Sequence, residues 1–373
     1  MKQSVYALGR AAASLLLAAA TLWTVGATAG AGSLAEAGES LRSGLPLALL
    51  RYERGEMYSL RGLSPASALA VSELPLLLAA PGEQAEEAAE EAEPSVPELR
   101  AETEPGRPAD PPLAVRDNGV PAATLRPTDP AGYLVLDRVY VSNASSAPLT
   151  AEDLNGFEPV RSEAQPQVLI VHTHGCEAYT MPPGEEYVPS DDHRTLDETC
   201  SVLRVGDEIA EVLTDAGIGV LHDRTLHDYP GYSGAYNRSL ATVEKYRAEY
   251  PSLLYVLDVH RDAIENDSGG QYKLLCAEEP GAAQLEFVIG SDGGGLEHPH
   301  WRENLRLACA VQQTLLRDYP TLFRPIIVRN SRYNQQVCPG ALLLEVGAAG
   351  NSLAEALNAA RLFARGFAET IRG

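Results

Sequence analysis

LLYVLDVHRD, residues 253–262, is apolar for most of its length and turns polar only at its end. A short continuous apolar run of this kind reads as a strand buried on both faces. Two further runs finish the same way. PQVLIVHTH (166–174) leads into HTHGCE (172–177), and ALLLEVGAAGN (341–351) carries Glu345 just before a glycine-rich exit. VLDRVYVSN (135–143), IGVLHD (218–223) and LEFVIGS (285–291) read as additional strands. Helical spacing runs through VLRVGDEIAEVLTDAG (202–217), ATVEKYRAEYP (241–251), WRENLRLACAVQQTLLRDY (301–319) and SLAEALNAARLFARGFAETI (352–371). Strands alternating with helices define an α/β domain, with a mostly parallel or mixed sheet and helices on both faces. In such sheets ligands collect beyond the carboxyl ends of the strands.

Those strand ends carry the chemistry. His174-Gly-Cys-Glu177 is an H-x-x-E pair whose short spacer lets a turn bring imidazole and carboxylate together. His260 completes a His₂Glu set, the donor set of a catalytic zinc that keeps its fourth position for water. Glu345 is the candidate base for that water, because a lone carboxylate inside LLLEVG needs a cation or a metal-bound water beside it. Arg261 is read as an oxyanion or substrate-carboxylate contact, with an ion pair to Asp262 as the alternative. His260 alone would read as a core histidine, and His172, two residues before His174, as a group supporting a ligand. A nucleophilic Cys176 is disfavoured, because chain neighbours such as His174 rarely meet a thiol in triad geometry. GYSGAY (231–236) follows Pro230 rather than a strand and is no nucleophile elbow, and SDGGGLEHPHW (291–301) reads as an ordinary loop.

The N-terminal third is different in kind. Residues 1–33 place Lys2 and Arg10 ahead of a long apolar run, the pattern of a signal peptide or a membrane anchor. The length of that run favours an uncleaved single-pass anchor, with everything after it on the extracytoplasmic side. Residues 34–82 read as a short membrane-proximal segment, since Pro65, Glu73 and Pro75 interrupt its apolar stretch. Residues 83–132 are acidic and then proline-rich, the composition of an extended spacer. The catalytic domain is expected over 133–373. The chain holds 29 Lys+Arg against 51 Asp+Glu, a net charge of −22, which argues against nucleic acid as a partner. Its five cysteines are scattered and form neither a disulfide lattice nor a CxxC framework.

HTHGCEAY, RVGDEIAEVL with GIGVLHD, LHDYPGYSGAYNRS, YPSLLYVLDVHRDA and YNQQVCPGALLLEVGAAGNSLAEA occur in that order. Together they resemble the stage II sporulation protein P family over roughly residues 133–371. The resemblance implies a membrane-anchored peptidoglycan hydrolase with N-acetylmuramoyl-L-alanine amidase and endopeptidase activity, acting in forespore engulfment. It implies stage II sporulation proteins D and M as partners, and a phosphorylase/hydrolase-like zinc amidase domain. Carried onto this sequence, it makes His174 and His260 zinc ligands and Glu345 the catalytic carboxylate. The acidic ligand is Glu177 or, counted back from the first helix, Glu198, with Glu177 preferred. Cys176 stands where a hydroxyl residue is expected. Two other functions fit the same layout: a non-catalytic wall-binding scaffold, and a tethered zinc carboxypeptidase using Arg261 to grip a terminal carboxylate.

Overall fold

Six of the eight strands of the central sheet begin with an apolar residue that is buried, and the helices between them bury one face each. The computed structural model describes residues 111–160, 162–265 and 270–373, all within one compact unit. The expected anchor (1–33), the segment 34–82 and the spacer up to residue 110 lie outside the described residues. Among the described residues no helix is long and apolar enough to cross a membrane.

In chain order the strands are β1 (Ala122–Ala123), β2 (Leu134–Leu136), β3 (Val139–Asn143), β4 (Val168–Val171), β5 (Pro189–Asp191) and β6 (Arg194–Thr195). They continue with β7 (Val220–His222), β8 (Tyr255–Asp262), β9 (Lys273–Leu274), β10 (Leu285–Gly290), β11 (Ile326–Arg329) and β12 (Ala341–Ala348). The main sheet has the order β2-β3-β11-β10-β12-β8-β4-β7. It is mixed: β2 with β3 and β10 with β12 pair antiparallel, and the other neighbours pair parallel. The three strands whose ends carry the candidate residues, β4, β8 and β12, are therefore adjacent and parallel.

The helices are α1 (Val202–Asp215), α2 (Ala235–Glu249), α3 (Trp301–Leu315) and α4 (Leu353–Arg372). Alternate residues of a strand face opposite ways, and the two apolar clusters separate accordingly. Val168, Ile170, Leu257, Val259, Leu342 and Leu344 pack with α1, α3 and α4. Leu169, Val171, Val256 and Ala341 pack with Val243 and Tyr246 of α2. Helices thus cover both faces. Ser201 caps α1 by accepting from Leu203 N–H, and Ser352 with Glu355 forms a capping box on α4.

Two boundaries differ from the sequence reading. VLDRVYVSN is a hairpin, β2 and β3, with Asp137 in the left-handed region (φ 54°) at its turn. The last part of the expected spacer is packed on the domain: β1 pairs with β9, and Leu125 exchanges hydrogen bonds with Gln284. A proline-rich segment buries little of itself, yet its backbone can still pair along its length, and composition does not reveal that.

Gly366 of α4 lies against α3, where an added Cβ would overlap Leu315 Cγ. Alanine favours a helix over glycine by up to about 1 kcal/mol. The overlap wins, because Cγ is a branch atom and Leu315 is buried. Gly366→Ala is expected to lower stability by about 1–2 kcal/mol, read as a lower urea midpoint at unchanged slope.

Candidate active site

The turn after β4 does what the H-x-x-E spacing asks. Glu177 N–H donates to His174 O at 3.1 Å, folding the carboxylate back beneath the imidazole. Strand register supplies the other two groups. His260 of β8 lies opposite Glu345 of β12, and Glu345 lies opposite Glu286 of β10, so the three form a row across adjacent strands on the α2 side of the sheet. A bulge between Glu345 and Ala348, with Gly347 at φ 68°, closes β12 just beyond this row.

The rings of His174 and His260 stand 5.3 Å apart and nearly perpendicular. His260 Nδ1 is 3.6 Å from Glu177 Oε2, and its Nε2 is 2.9 Å from Asp258 Oδ1, off the axis of a good hydrogen bond. Asp258 is itself held: Oδ1 accepts from Thr173 N–H at 2.8 Å and Oδ2 from the Thr173 hydroxyl at 2.6 Å. Thr173 Oγ1 is 2.7 Å from Ser239 Oγ, which accepts from Asn334 Nδ2 at 3.0 Å. Orienting carboxylates of this kind fix which imidazole nitrogen faces a metal. His174 is stacked on Tyr232, with centroids 4.4 Å apart, and Arg194 caps the other side of that tyrosine while pairing with Asp228.

Burial sets the charges. Desolvation lowers His174 to about 4, so it is neutral near pH 7. Burial also works against charge on His260 and Glu177, but their partners outweigh it. Asp258 and Glu177 raise His260 well above the usual histidine range, and Arg261 and His260 hold Glu177 well below the carboxylate range. Burial pushes Glu345 well above that range, against the attraction of His260, with Asp262, Glu177 and Glu286 adding to the rise. Glu286 is pushed up to about 7 by burial, against the pull of Arg324. Two carboxylates driven in opposite directions, Glu177 down and Glu345 up, are the pattern of divided acid and base roles.

Among the described residues no group of three His, Cys, Asp or Glu side chains already stands arranged to hold a metal ion. The donor set nevertheless fits zinc in its chemistry: two imidazoles and a carboxylate converge, and two enclosed atoms, His174 Nδ1 and Glu345 Oε2, have no hydrogen-bond partner. Glu345 as a residue keeps some exposure although that oxygen is enclosed, so the row opens towards solvent at this point.

The remaining expected residues fall elsewhere. Glu198 accepts from Arg224 at 3.0 and 2.9 Å and belongs to a network with Asp207 and His222, so it is Glu177 that stands against His260. Arg261 does not face the row. Its Nε donates to Ala178 O at 3.1 Å and its Nη2 to His193 O at 2.9 Å, while its backbone N–H donates to Glu177 Oε2 at 3.2 Å. Its backbone N–H thus holds Glu177, while its side chain is taken up by the carbonyls of Ala178 and His193. Its alternative ion pair is absent too, since Asp262 pairs with Arg324 at 2.7 Å. His172 is turned to Val259 O (2.9 Å) and His222 Nε2 (2.8 Å). Cys176 is buried, with its thiol pushed up by desolvation, which does not favour the thiolate a nucleophile needs.

Sequence reasoning passed over Asp258, Glu286, Arg324, Arg194 and Asp228. The first two had a signal: a carboxylate inside LYVLDVH or LEFVIG meets the same burial penalty that singled out Glu345. The Arg194–Asp228 pair joins β6 to a loop 34 residues further on and has no local pattern.

Fold and site together define an α/β protein with a buried histidine–glutamate centre at the carboxyl ends of parallel strands. More particularly, the chain belongs to the stage II sporulation protein P (SpoIIP) family, whose model matches residues 83–368. It is 28% identical over 215 residues to stage II sporulation protein P of Bacillus subtilis (strain 168), covering 54% of this chain and 50% of that protein. The chain thus spans about half the length of the curated relative it matches. Weaker structural likenesses include the CwlD amidase from Clostridioides difficile in complex with the GerS lipoprotein, at 15% identity and TM-score 0.36, covering 55% of this chain and 96% of that one. Another is the N-acetylmuramyl-L-alanine amidase Ami1 from Mycobacterium smegmatis, at 11% identity and TM-score 0.36, covering 57% of this chain and 99% of that one.

Removing Asp258 tests the buried pair. Asp258→Ala leaves His260 Nε2 and the Thr173 donors unpartnered, at an expected cost of about 3–5 kcal/mol. Asp258→Asn keeps the shape and an acceptor, and is expected to lose less than half of that in the same urea titration.

Proposed function

We propose that this protein is a zinc-dependent peptidoglycan hydrolase cleaving the amide between the muramic lactyl group and L-alanine, with endopeptidase cleavage of stem peptides at the same site. The observation that carries the reading is the register row. It sets Glu345, with its unpartnered oxygen, beside His260, and the β4 turn sets His174 and Glu177 facing them.

His174, Glu177 and His260 would hold the zinc, which when bound supplies Lewis acidity to the scissile carbonyl and the attacking water. Glu345 takes the proton from that water and returns it to the departing amine, and its raised pKa suits the second of these transfers. Asp258 orients His260, and Arg261 keeps Glu177 ionised through its charge and its backbone N–H. Tyr232 and Tyr236, both packed on His174, line the wall of the site.

Family membership and the N-terminal sequence support the wider setting. Residues 1–33 anchor the chain in the membrane, residues downstream lie on the extracytoplasmic face, and the enzyme acts in engulfment alongside stage II sporulation proteins D and M.

In the full-length chain, Glu345→Gln is expected to slow peptidoglycan cleavage by about 10²–10⁴-fold while zinc content stays near that of the wild type. His260→Ala is expected to lose both zinc and cleavage. Metal analysis and chromatography of the released peptides read the two outcomes. Full activity in the Glu345→Gln chain would overturn the mechanism.

A further inference from the structure

The segment that precedes the sheet, residues 111–125, crosses the same edge as the site. Leu113 and Asn358 exchange two hydrogen bonds, at 2.7 Å (Leu113 N–H to Asn358 Oδ1) and 3.1 Å (Asn358 Nδ2 to Leu113 O). At its other end β1 pairs with β9, and Thr124 Oγ1 donates to Leu275 O at 2.7 Å. Between these fixed ends lies Asn118. Its Nδ2 donates to Thr180 O at 2.8 Å and to Gly350 O at 2.9 Å.

Those two carbonyls belong to different site-bearing loops. Thr180 is three residues beyond Glu177, and Gly350 is five beyond Glu345. The loops also touch directly: Thr180 N–H lies 2.9 Å from Ala349 O and 3.0 Å from Asn351 O. One primary amide has two hydrogens, and here each goes to one loop.

The amide's orientation is fixed by the same contacts. Asn118 Oδ1 is 3.3 Å from Lys273 Nζ, which can only donate, and it accepts from Val120 N–H at 3.2 Å. Flipping the amide would set an oxygen against two carbonyls and an NH₂ against an ammonium. Lys273 is buried and also pairs with Glu355 Oε1 at 3.3 Å, and Glu355 Oε2 accepts from Asn351 Nδ2 and Ser352 N–H at 2.9 Å each. Val120 packs onto Gly350, where an added Cβ would come within 3.0 Å of Val120 Cγ1. The strap is thus fastened to the β12 exit by charge, hydrogen bonds and packing together.

We infer that Asn118 is a positioning residue: it staples the loop carrying Glu177 to the loop following Glu345, and so sets the spacing between the ligand side and the acid–base side of the site. This rests on the function proposed above and names a residue outside the sheet and outside the expected catalytic region. From residue 111 on, the segment ahead of the expected catalytic region is hydrogen-bonded to that region.

The test compares full-length wild type, Asn118→Asp and Thr124→Ala by amide hydrogen exchange without metal or substrate. Asn118→Asp keeps the shape and the Lys273 contact but removes both donated hydrogens. Exchange is expected to quicken about tenfold at the amides of residues 176–181 and 346–351, with the core strands β4, β8 and β12 unchanged. Thr124→Ala, which removes one side-chain hydrogen bond at the far end of the strap, is expected to leave both loops protected. In the cleavage assay Asn118→Asp is expected to lower kcat with zinc content and KM close to wild type. Unchanged protection of both loops in Asn118→Asp, or a uniform rise across the sheet, overturns the inference. A wild-type chain that cleaves nothing refutes the hydrolase alone, because the exchange comparison still decides the staple.

Discussion

A carboxylate carried into the middle of a sheet must meet a counter-charge or a proton, and this fold brings two glutamates and a histidine into one row across β8, β12 and β10. Taking an ion out of water costs several kcal/mol, so its neighbours decide its state. His260 lies between Asp258 and Glu177, which raise its pKa, and Glu286 shares Arg324 with Asp262. Glu345 has an enclosed oxygen that nothing satisfies. That unpartnered oxygen is what the proposed catalytic role of Glu345 rests on.

Much of the rest of the structure holds that row still. Helices α1, α3 and α4 seal one face of the sheet with the larger apolar cluster, while His260, Glu345 and Glu286 lie on the face shared with α2. The parallel order of β4, β8 and β12 gathers three strand ends, which an antiparallel meander would have sent to alternate edges. Ser239 and Asn334, on α2 and the loop before β12, reach across to Thr173 and Asp258. At the end of that chain Thr173 donates twice to Asp258, which leaves both carboxylate oxygens hydrogen-bonded despite their burial. Its pKa falls to about 2, because His260 and the Thr173 donors outweigh the desolvation that would raise it.

The strands and helices were legible because their signals are local: apolar runs, 3.6-residue spacing, Gly217 after α1 and Pro251 after α2. The convergence of HTHGCE, DVHRD and LLLEVG on one edge was legible for the same reason, since it follows from strand direction alone. The carbonyl partners of Arg261 were not legible, because a sequence shows that an arginine is present, not which acceptors its long side chain will reach. The strap at 111–125 was hidden because its hydrogen bonds come from backbone and from scattered side chains such as Asn118 and Thr124, which leave no pattern in a proline-rich stretch. Arg194 and Asp228 meet only because β6 and the loop after β7 fold against each other.

By itself the amino-acid sequence determined the α/β class, the strands that would be buried and the ionisable residues at their ends, because burial pattern and chain direction are properties of neighbouring residues. Tertiary structure decided which of those residues face one another. Register set His260 beside Glu345, the turn after β4 chose Glu177 over Glu198, and a segment far upstream closed the edge. Those choices depend on contacts between residues tens to hundreds of positions apart, whose strength is set by distance and desolvation in the folded chain.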